Sequence, residues 1–573
     1  MKSRLHKIEI RNFKAFREFS LNLEGRHLLV YGDNGAGKSS LYWALYTFLQ
    51  SARKPTTGES GISKYFDPAV PQNLLNTYEQ EEQNPRPSEI VVTLRDMTTK
   101  TDTTHRIGRD PSGLTIHGTH KQPAILKGDL ASDFITYRFF FGFSHFRNSD
   151  KFNLWPLFEK EILPFVASTT TSPQSPLDWW HRIKSGVANP GRSRGRGGTN
   201  AYKEFERNTE AFAAVLSACV DTISTKAQEF YDQHFSKDDL AKVTLRLSVP
   251  KKQGTEIPAF PSYDRTSDRF EFPFVEFGIQ VGGKPIGRPQ SHLNEAKMTQ
   301  LGLSVRLAAS LVNLHDPNNE FLKLLVLDDL LVSLDMSNRM KVVEILLTDT
   351  FANYQKIILT HDLGFFREFR RNIGQSHPDW SFIRLVGDPA TTINCQTEKT
   401  ELQKAQDYLH GHNLDEAAVC LRKAAEDMAK RYREWAEKKK LPPGKFLTLT
   451  ENLRAARNKL LEKIPTKLYD RVLNGTPEPH REHLLPAGDD DVDALPGLDI
   501  ADRGKLKAQR GNLRSLLKDE NWKVMENVKL IDEVLKTTER VLNPGAHGSD
   551  SPLYENEVQK ALDLIAKLEK CPA

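Results

Sequence analysis

The chain has 573 residues, a length that allows two to four domains with sizeable cores. It carries 80 Lys or Arg and 75 Asp or Glu residues, so its formal net charge at pH 7 is only +5. A charge this nearly balanced neither demands nor excludes nucleic acid as a partner.

Cysteine usage and hydropathy argue against four further classes of protein. Four cysteines without a C-x-x-C pair argue against a disulfide framework and a zinc finger. No apolar core follows the basic start MKSRLHKIEI, so we expect no signal peptide. The most apolar stretches, such as FLKLLVLDDLLVSL, are interrupted by charge well before 18 residues. We therefore expect a cytoplasmic protein with no membrane partner.

Residues 1–150 predict the N-terminal lobe of an α/β domain. The segments LHKIEIRNF, FSLNLEG and HLLVYG predict three strands, and the last runs straight into a glycine-rich loop. SSLYWALYTFLQ predicts the helix after this loop, and EIVVTLRDMTT with THRIGRDPSGLTIHG predicts a pair of strands.

Residues 151–290 predict an insertion between two lobes. WPLFEKEILPFV predicts a helix, and GRSRGRGGT is a basic low-complexity stretch that suits a flexible linker or a contact with a nucleic-acid backbone. Residues 201–235 predict a long amphipathic helix. AKVTLRLSV and FPFVEFGIQVGGKPI then return to a strand pattern.

Residues 291–398 predict the second lobe of the α/β domain. NEAKMTQLGLSVRLAASLVNL predicts a helix, and the apolar runs FLKLLVLDD and YQKIILTHD are typical of buried parallel strands. Residues 399–573 predict helices only, with a break rich in Pro, Gly and Asp at about 474–500. The predicted fold class is an α/β head with a mixed sheet and an inserted lobe, followed by an all-α C-terminal domain.

The glycine-rich loop matches the phosphate-loop pattern G-x-x-x-x-G-K-[ST] between Gly32 and Ser39. Its glycines let backbone N–H groups face phosphates, Lys38 reaches the β- and γ-phosphates, and Ser39 can hold Mg²⁺. A chance glycine-rich turn is the alternative, but the strand before the loop and the helix after it favour a nucleotide site. The expected ligands are ATP and Mg²⁺. The predicted nucleotide-binding residues of this loop are Asn34, Gly35, Ala36, Gly37, Lys38, Ser39 and Ser40.

Two predicted strands end in groups that suit phosphate chemistry. LLVLDD ends in Asp328, expected to hold Mg²⁺, and Asp329, expected to orient the attacking water as general base. A pair of capping aspartates is the alternative. LTHD ends the next strand in His361, a candidate sensor of the γ-phosphate, although a lone histidine at a strand end is ordinarily without special function.

These motifs together resemble the SMC/RecF branch of ABC ATPases, through IEIRNFKAF…GDNGAGKSSLYWAL and LVLDDLLVSLD…IILTHD. The resemblance implies an ABC-type ATPase head in which a large insertion separates the two halves of the site. It also implies that Lys14 of NFKAF lines the nucleotide and that Asp335 of SLD belongs to the same site. A glutamine for the loop that usually precedes the signature motif is not identified, although FFGFSHFRNSDKF lies near its expected position.

The signature motif of this family, usually L-S-x-G-[EQ], is best matched within HLNEAKMTQLGLSVRLA at residues 292–308. Asn294 replaces the serine, Ala296 replaces the glycine, and Glu295 lies between them. In the family this motif completes the ATP site of a second copy, so the resemblance implies a homodimer or higher oligomer formed through the ATPase heads. The insertion is too short for a long coiled-coil arm.

The C-terminal helices carry a second, weaker resemblance. Arg422 and Glu426 form R-x-x-x-E on one helix face, and Asn543 and His547 form N-x-x-x-H, which resembles HEPN domains of PrrC/RloC-type anticodon nucleases. The resemblance implies that His547 is the acid or base, Glu426 its counterpart, and Arg422 the phosphate clamp. Arg540 is a further candidate. The alternatives are an ordinary i,i+4 ion pair, a helical-hairpin repeat, and an inactive interaction module.

Three functions are consistent with these patterns. The first is an ATP-gated effector of prokaryotic anti-phage defence that cleaves RNA, with tRNA as the candidate target. The second is a RecF-like DNA-repair ATPase. The third is an ATPase assembly subunit whose nuclease is a separate chain. Expected partners are therefore tRNA or DNA, a separate effector, or a phage-derived trigger protein.

Overall fold

The structure is a computed structural model, and the residues that it describes fall into two units. The first unit comprises Met1–Ile373 and His377–Glu398, and the second comprises Gly374–Ser376 and Lys399–Ala573. The predicted site residues Asp335 and His547 lie outside the described residues. The description covers residues 3–570 except 59–60, 111–112, 118, 120, 137, 140–142, 144–150, 167–175, 189–198, 313–320, 330–335, 375–376, 439–446, 463–498 and 544–551.

The strands of the described chain all lie in the first unit. They are β1 (Ser3–Phe13), β2 (Phe16–Asn22), β3 (His27–Gly32), β4 (Glu89–Asp96), β5 (Asp102–Asp110), β6 (Gly113–His117), β7 (Asp133–Thr136), β8 (Val243–Ser248), β9 (Ser262–Asp264), β10 (Arg269–Glu271), β11 (Glu276–Val281), β12 (Lys284–Ile286), β13 (Leu324–Asp328), β14 (Gln355–Thr360), β15 (Trp380–Val386) and β16 (Asn394–Thr397).

The helices occupy both units. In the first unit they are α1 (Lys38–Gln50), α2 (Pro123–Ala131), α3 (Pro176–Ala188), α4 (Asn200–His234), α5 (Glu295–Val312), α6 (Met336–Leu346) and α7 (Leu363–Ile373). In the second they are α8 (Glu401–His410), α9 (Leu414–Glu437), α10 (Leu449–Leu461), α11 (Ile500–Thr537) and α12 (Glu555–Lys570). Short helical turns are found at Thr77–Gln80, Trp155–Leu157, Phe158–Ile162, Leu163–Phe165, Pro289–His292 and Thr538–Leu542.

A six-stranded sheet in the order β16-β15-β3-β14-β13-β7 forms the centre of the first unit. Its strands are parallel except β16, which pairs antiparallel with β15. Along β13, Leu324 and Val326 enter one hydrophobic core, whereas Leu325 and Leu327 enter another. Because side chains alternate along a strand, a sheet covered on both faces needs a continuous apolar run. This explains why LLVLD and KIILT carry almost no polar residues.

A second sheet, in the order β2-β1-β4-β5-β6, is antiparallel and shares a core with α1 and one face of the central sheet. Asp110 and Gly113, the outer residues of the predicted D-P-S-G turn, pair between β5 and β6, and residues 111–112 lie outside the described residues. The central sheet is therefore sandwiched between layers, and β3 lies in its middle with all six residues buried.

Residues 151–290 share a core with the second lobe. The 35-residue helix α4 buries Phe205, Phe212, Leu216 and Ile223 and packs along α5. The small sheet β12-β11-β8 lies in the same core. The predicted amphipathic helix is thus a core element.

The second unit is helical throughout its described residues. Its core is formed by apolar side chains of α8 to α12. Thr400 caps α8 with a capping box, and Asn413 caps α9 after the Gly411 break. The predicted fold class is confirmed: an α/β unit with a mixed sheet and inserted helices and strands, followed by an all-α unit.

Candidate nucleotide-binding site

The phosphate loop connects the central strand β3 with α1, as predicted. Gly35 and Gly37 have φ values of 90° and 91°, which residues other than glycine rarely adopt. A Cβ atom on Gly37 would also lie 2.8 Å from the Phe16 ring. The loop therefore needs glycine at position 37 for both conformation and space.

Lys38 is buried at the start of α1. Its Nζ donates hydrogen bonds to the carbonyl oxygens of Gly32 at 2.6 Å and Asp33 at 3.1 Å. Burial lowers its pKa, and the nearby charges of Asp329 and Asp328 oppose that shift. The ammonium group is thus held on the loop itself, between the loop carbonyls and the carboxylates of β13.

Asp328 lies at the end of β13, near the Ser39 hydroxyl, which opposes the effect of burial on the pKa of this carboxyl. Burial raises the pKa of Asp328 to about 6. Its Oδ1 atom is buried and has no hydrogen-bond partner among the described residues, so the site lacks one polar partner. A hydroxyl beside a carboxylate oxygen in need of a partner fits Mg²⁺.

Few protein ligands are needed for such an ion. Within the described parts of the chain, no group of three or more His, Cys, Asp and Glu side chains is arranged to hold a metal. Mg²⁺ in nucleotide sites is commonly held by one or two protein groups together with phosphate oxygens and water. Ser39 and Asp328 are sufficient for that arrangement.

Asp329 follows Asp328 with a positive φ of 50° and is fixed by the neighbouring strand. Its backbone N–H donates to the Leu359 carbonyl of β14 at 3.1 Å. Its Oδ1 accepts hydrogen bonds from the backbone N–H of His361 at 3.0 Å and from Nδ1 of the same residue at 2.9 Å. The contact at Nδ1 holds the imidazole in one tautomer, with Nε2 as its other polar atom. The two predicted groups therefore form a pair.

A cavity of about 530 Å³ adjoins the loop and is lined by Lys14, Asn34, Gly35, Gly37 to Ser40, and Asp329. That volume is typical of a small-ligand site. Lys14 donates its backbone N–H to the Leu74 carbonyl at 2.7 Å, and its ammonium lies 5.2 Å from the Trp43 ring centroid. Burial and the nearby charge of Arg138 lower the pKa of Lys14.

Arg138 is a site residue that the sequence analysis did not identify. Thr136 of β7 pairs with Asp328, and Arg138 lies two residues further at the same edge of the sheet. Its charge acts on both Lys14 and Asp328. Only the strand pairing reveals this position, because DFIT is too short and too polar at its start to predict a strand.

The predicted signature segment lies at the N-terminal end of α5, where Asn294, Glu295 and Ala296 are exposed. Asn294 Oδ1 accepts from the backbone N–H of Lys297 at 2.8 Å, so this side chain caps the helix. Lys297 in turn bonds to Asp239 just beyond α4. The exposed amide end of Asn294 lies at the positive end of an 18-residue helix.

In the second unit, Arg422 contacts both of its predicted neighbours that the structure describes. Its Nε donates to Glu426 Oε1 at 3.0 Å, and its Nη1 donates to Asn543 Oδ1 at 3.1 Å. Arg540 instead pairs with Glu557 of α12, at 3.1 Å from Nε to Oε1. Asn543 follows a π-helical turn at Thr538–Leu542, a distortion that often marks functional positions.

One family model matches a part of the chain. The model of the AAA ATPase domain family matches residues 1–105, which include β1 to β4, the phosphate loop and α1. Together with the loop geometry, this match supports ATPase activity of the first unit. No curated protein matches the chain.

Several solved structures are similar to the chain at low identity. One is the recombination mediator protein RecF with ATP in the RecFOR pathway, with 12% identity, 69% of this chain and 98% of that chain covered, and a TM-score of 0.42. A second is an Smc head domain with an extended coiled coil, bound to the C-terminal domain of ScpA from Pyrococcus furiosus, with 12% identity, coverage of 72% and 99%, and a TM-score of 0.38. A third is the SMC head domain from Thermotoga maritima, with 14% identity, coverage of 69% and 100%, and a TM-score of 0.31.

No helix within the described residues is both long and apolar enough to cross a membrane.

Proposed function

We propose that the first unit binds and hydrolyses ATP and dimerises head to head with a second copy, and that this cycle controls an effector activity of the second unit. The observation that carries the ATPase proposal is the shared edge of the central sheet. There the loop of β3, the carboxylates after β13 and the histidine after β14 come together. Groups for binding, metal coordination and proton transfer thus converge on one cavity.

Each residue has a distinct role in this proposal. Lys38 moves its ammonium from the loop carbonyls to the phosphates, and the backbone N–H groups of residues 34–40 bind the same oxygens. Ser39 and Asp328 would hold Mg²⁺, which neutralises phosphate charge when bound. Asp329 accepts a proton from the attacking water, while the Nδ1–H of His361 orients its carboxylate.

The test measures binding and hydrolysis separately with purified full-length protein. Lys38→Ala is expected to weaken ATP binding, whereas Asp329→Asn retains binding and lowers the hydrolysis rate by about 10²- to 10⁴-fold, the usual contribution of a general base. Arg95→Ala, at an exposed ion pair distant in sequence from the motifs, serves as the control. Unchanged ATP affinity in Lys38→Ala would refute the proposed site.

The dimer proposal depends on Asn294, which has two possible roles that one substitution separates. Asn294→Asp keeps the oxygen that caps α5 but removes the amide donor available to a phosphate of the second copy. In an Asp329→Asn background, ATP should produce dimers in sedimentation velocity, and adding Asn294→Asp should abolish them without lowering the melting temperature. Dimers that persist in Asn294→Asp contradict the signature assignment.

We also propose that the second unit is the effector and cleaves RNA, with tRNA as the candidate substrate and anti-phage defence as the biological role. The supporting observation is that Arg422 joins Glu426 and Asn543, the residue four positions before His547. In this proposal His547 and Glu426 serve as acid and base, and Arg422 stabilises the charge that develops on the phosphate.

Cell growth, phage plating and tRNA integrity test this second proposal. Expression of the wild type should cleave RNA and restrict phage, and Arg422→Ala, Glu426→Gln and His547→Ala should each abolish both effects while ATP hydrolysis continues. Arg457→Ala, which removes a helix arginine that pairs with Asp532, is the matched control. If the three variants behave like the wild type, the second unit is an interaction module and the effector is a separate chain.

A further inference from the structure

We propose that Tyr78 stacks on the base of the bound nucleotide and that Asn73 to Tyr78 form the nucleoside-binding wall of the cavity. This inference rests on the proposed ATP site and names the part of it that recognises the nucleoside. Nothing in the phosphate-loop motif indicates where the base is bound.

The cavity next to the phosphate loop has a second set of lining residues. Besides the loop, it is lined by Asn73, Leu74, Leu75, Thr77 and Tyr78. A nucleotide whose phosphates lie on the loop has its ribose and base further along the same cavity. Among the described lining residues, Tyr78 supplies the aromatic ring, and 46% of its surface is exposed.

This wall is attached directly to the nucleotide site. The Leu74 carbonyl accepts the backbone N–H of Lys14 at 2.7 Å. The fully buried Asn76 donates from Nδ2 to the carbonyl oxygens of Lys14 at 2.9 Å and Pro389 at 3.3 Å. The same side chain accepts the Glu79 N–H at 2.8 Å and so caps the turn that carries Tyr78.

The other side of the turn is equally constrained. The buried carboxylate of Glu79 accepts hydrogen bonds from Arg17 at 3.0 Å and from Arg86 at 2.9 Å. With Asn76 and Glu79 both anchored, the backbone of the turn is fixed on either side of Tyr78. A preorganised ring loses little freedom when a ligand stacks on it.

The chemistry suits a nucleobase better than a phosphate. Every base has a π-face, and stacking on an aromatic side chain contributes binding that is tolerant of base identity. A triphosphate has no aromatic face on which the ring could stack. We therefore expect Tyr78 to bind the nucleoside moiety through its ring, with its hydroxyl group dispensable.

This inference is tested by calorimetric titration of the full-length protein. The two probes are AMP-PNP and inorganic tripolyphosphate, each added with Mg²⁺. Tyr78→Ala should weaken AMP-PNP binding roughly 5- to 100-fold, the range for loss of one base–aromatic stack. Tripolyphosphate binding should be unchanged, and Tyr78→Phe should retain wild-type affinity for both probes. Tyr408→Ala, which removes another exposed tyrosine, is the matched control.

The outcomes separate this inference from the proposed ATP site. Unchanged AMP-PNP binding in Tyr78→Ala overturns stacking alone, as does an equal loss for both probes, which would indicate a distorted loop. Binding of neither probe by the wild type overturns the nucleotide site and the stacking inference with it. Sedimentation velocity of the same samples supplies the last outcome: if Tyr78→Ala changes only dimerisation, the ring is a contact between copies and the inference is wrong.

Discussion

Breaking the buried ion pair between Asp133 and Arg306 should destabilise the first unit strongly. Both side chains are only about 1% exposed, and the guanidinium donates to the carboxylate through Nη1 at 2.7 Å and Nη2 at 2.5 Å. Ser310 also donates to Asp133, and Tyr354 donates to the Ser310 carbonyl at 2.8 Å. The pair links α5, which begins at the signature segment, to the edge strand β7.

The expected magnitude follows from burial. Arg306→Met leaves an uncompensated carboxylate in the core, which costs about 3–5 kcal/mol. Unfolding entropy of about 2.1 cal/mol/K per residue gives roughly 0.8 kcal/mol/K for a unit of roughly 400 residues. The melting temperature of the first unit should therefore fall by about 4–6 °C. Replacing both partners, as Asp133→Leu with Arg306→Met, should recover most of this loss because no charge remains buried.

Differential scanning calorimetry of the full-length variants measures these shifts. Arg95→Met, which breaks the exposed pair with Asp102, is the control and should lower the melting temperature far less, because exposed ion pairs contribute little to stability. A shift for Arg306→Met that is no larger than the shift for Arg95→Met would contradict a stabilising role for the buried pair. So would a double variant as unstable as the sum of its single substitutions.

Three further predictions concern the loop, the core histidine and the metal ligand. Gly35→Ala should weaken ATP binding by about 1–2 kcal/mol, roughly 5- to 30-fold, from the strain of a positive φ alone, because a methyl group there meets no atom within 4 Å. Gly37→Ala should weaken it more, because the Phe16 ring also blocks the new methyl group. Equal titration curves for the two variants would contradict this. Burial lowers the pKa of His27 to about 3. Between pH 6.5 and 4.5, the unfolded chain therefore binds a proton at this residue that the folded chain does not bind. Acidification over this range should lower the free energy of unfolding by about 2 kcal/mol. His27→Asn, whose amide oxygen can still accept the Lys356 N–H, should remove that part of the pH dependence in urea denaturation; an unaltered pH dependence would show that another group is responsible. Asp328→Asn should raise the Mg²⁺ concentration for half-maximal ATP hydrolysis more than tenfold, and an unchanged Mg²⁺ titration would remove Asp328 from the metal site.

The central strands could be predicted because their burial leaves a local signal. β13 and β14 are covered on both faces, so the chain must be apolar without interruption, and this pattern is visible in five or six residues. β7 was not predicted, because it has four residues and begins with Asp133. That aspartate is tolerated in a core because it pairs with Arg306. The partner lies 173 residues away in the sequence, so the pairing leaves no local pattern.

The same distinction applies to the site. Lys38, Ser39 and Asp328 belong to short motifs whose spacing is set by a turn or a strand end, so sequence alone suggests them. Tyr78 reaches the cavity, and Arg138 reaches the neighbourhood of Asp328, only through the tertiary fold, and their sequence neighbourhoods resemble loops. Asn294 shows a limit of motif matching. The sequence suggests that its side chain contacts a nucleotide. In the structure the side chain caps α5, and this bond accounts for an asparagine at the position without any ligand.

The sheet topology explains why these groups meet. Parallel strands present their carboxyl ends at one edge, so β3, β14, β13 and β7 deliver the loop, His361, the two aspartates and Arg138 to the same place. Helix α5 contacts this arrangement through its residue Arg306, which pairs with Asp133 of β7. At the exposed start of the same helix, Lys297 pairs with Asp239. The sheet edge and the predicted signature segment are therefore joined by β7, the buried ion pair and α5. In the proposed head-to-head dimer, this connection would link the ATP site of one copy to the surface that it offers to a second.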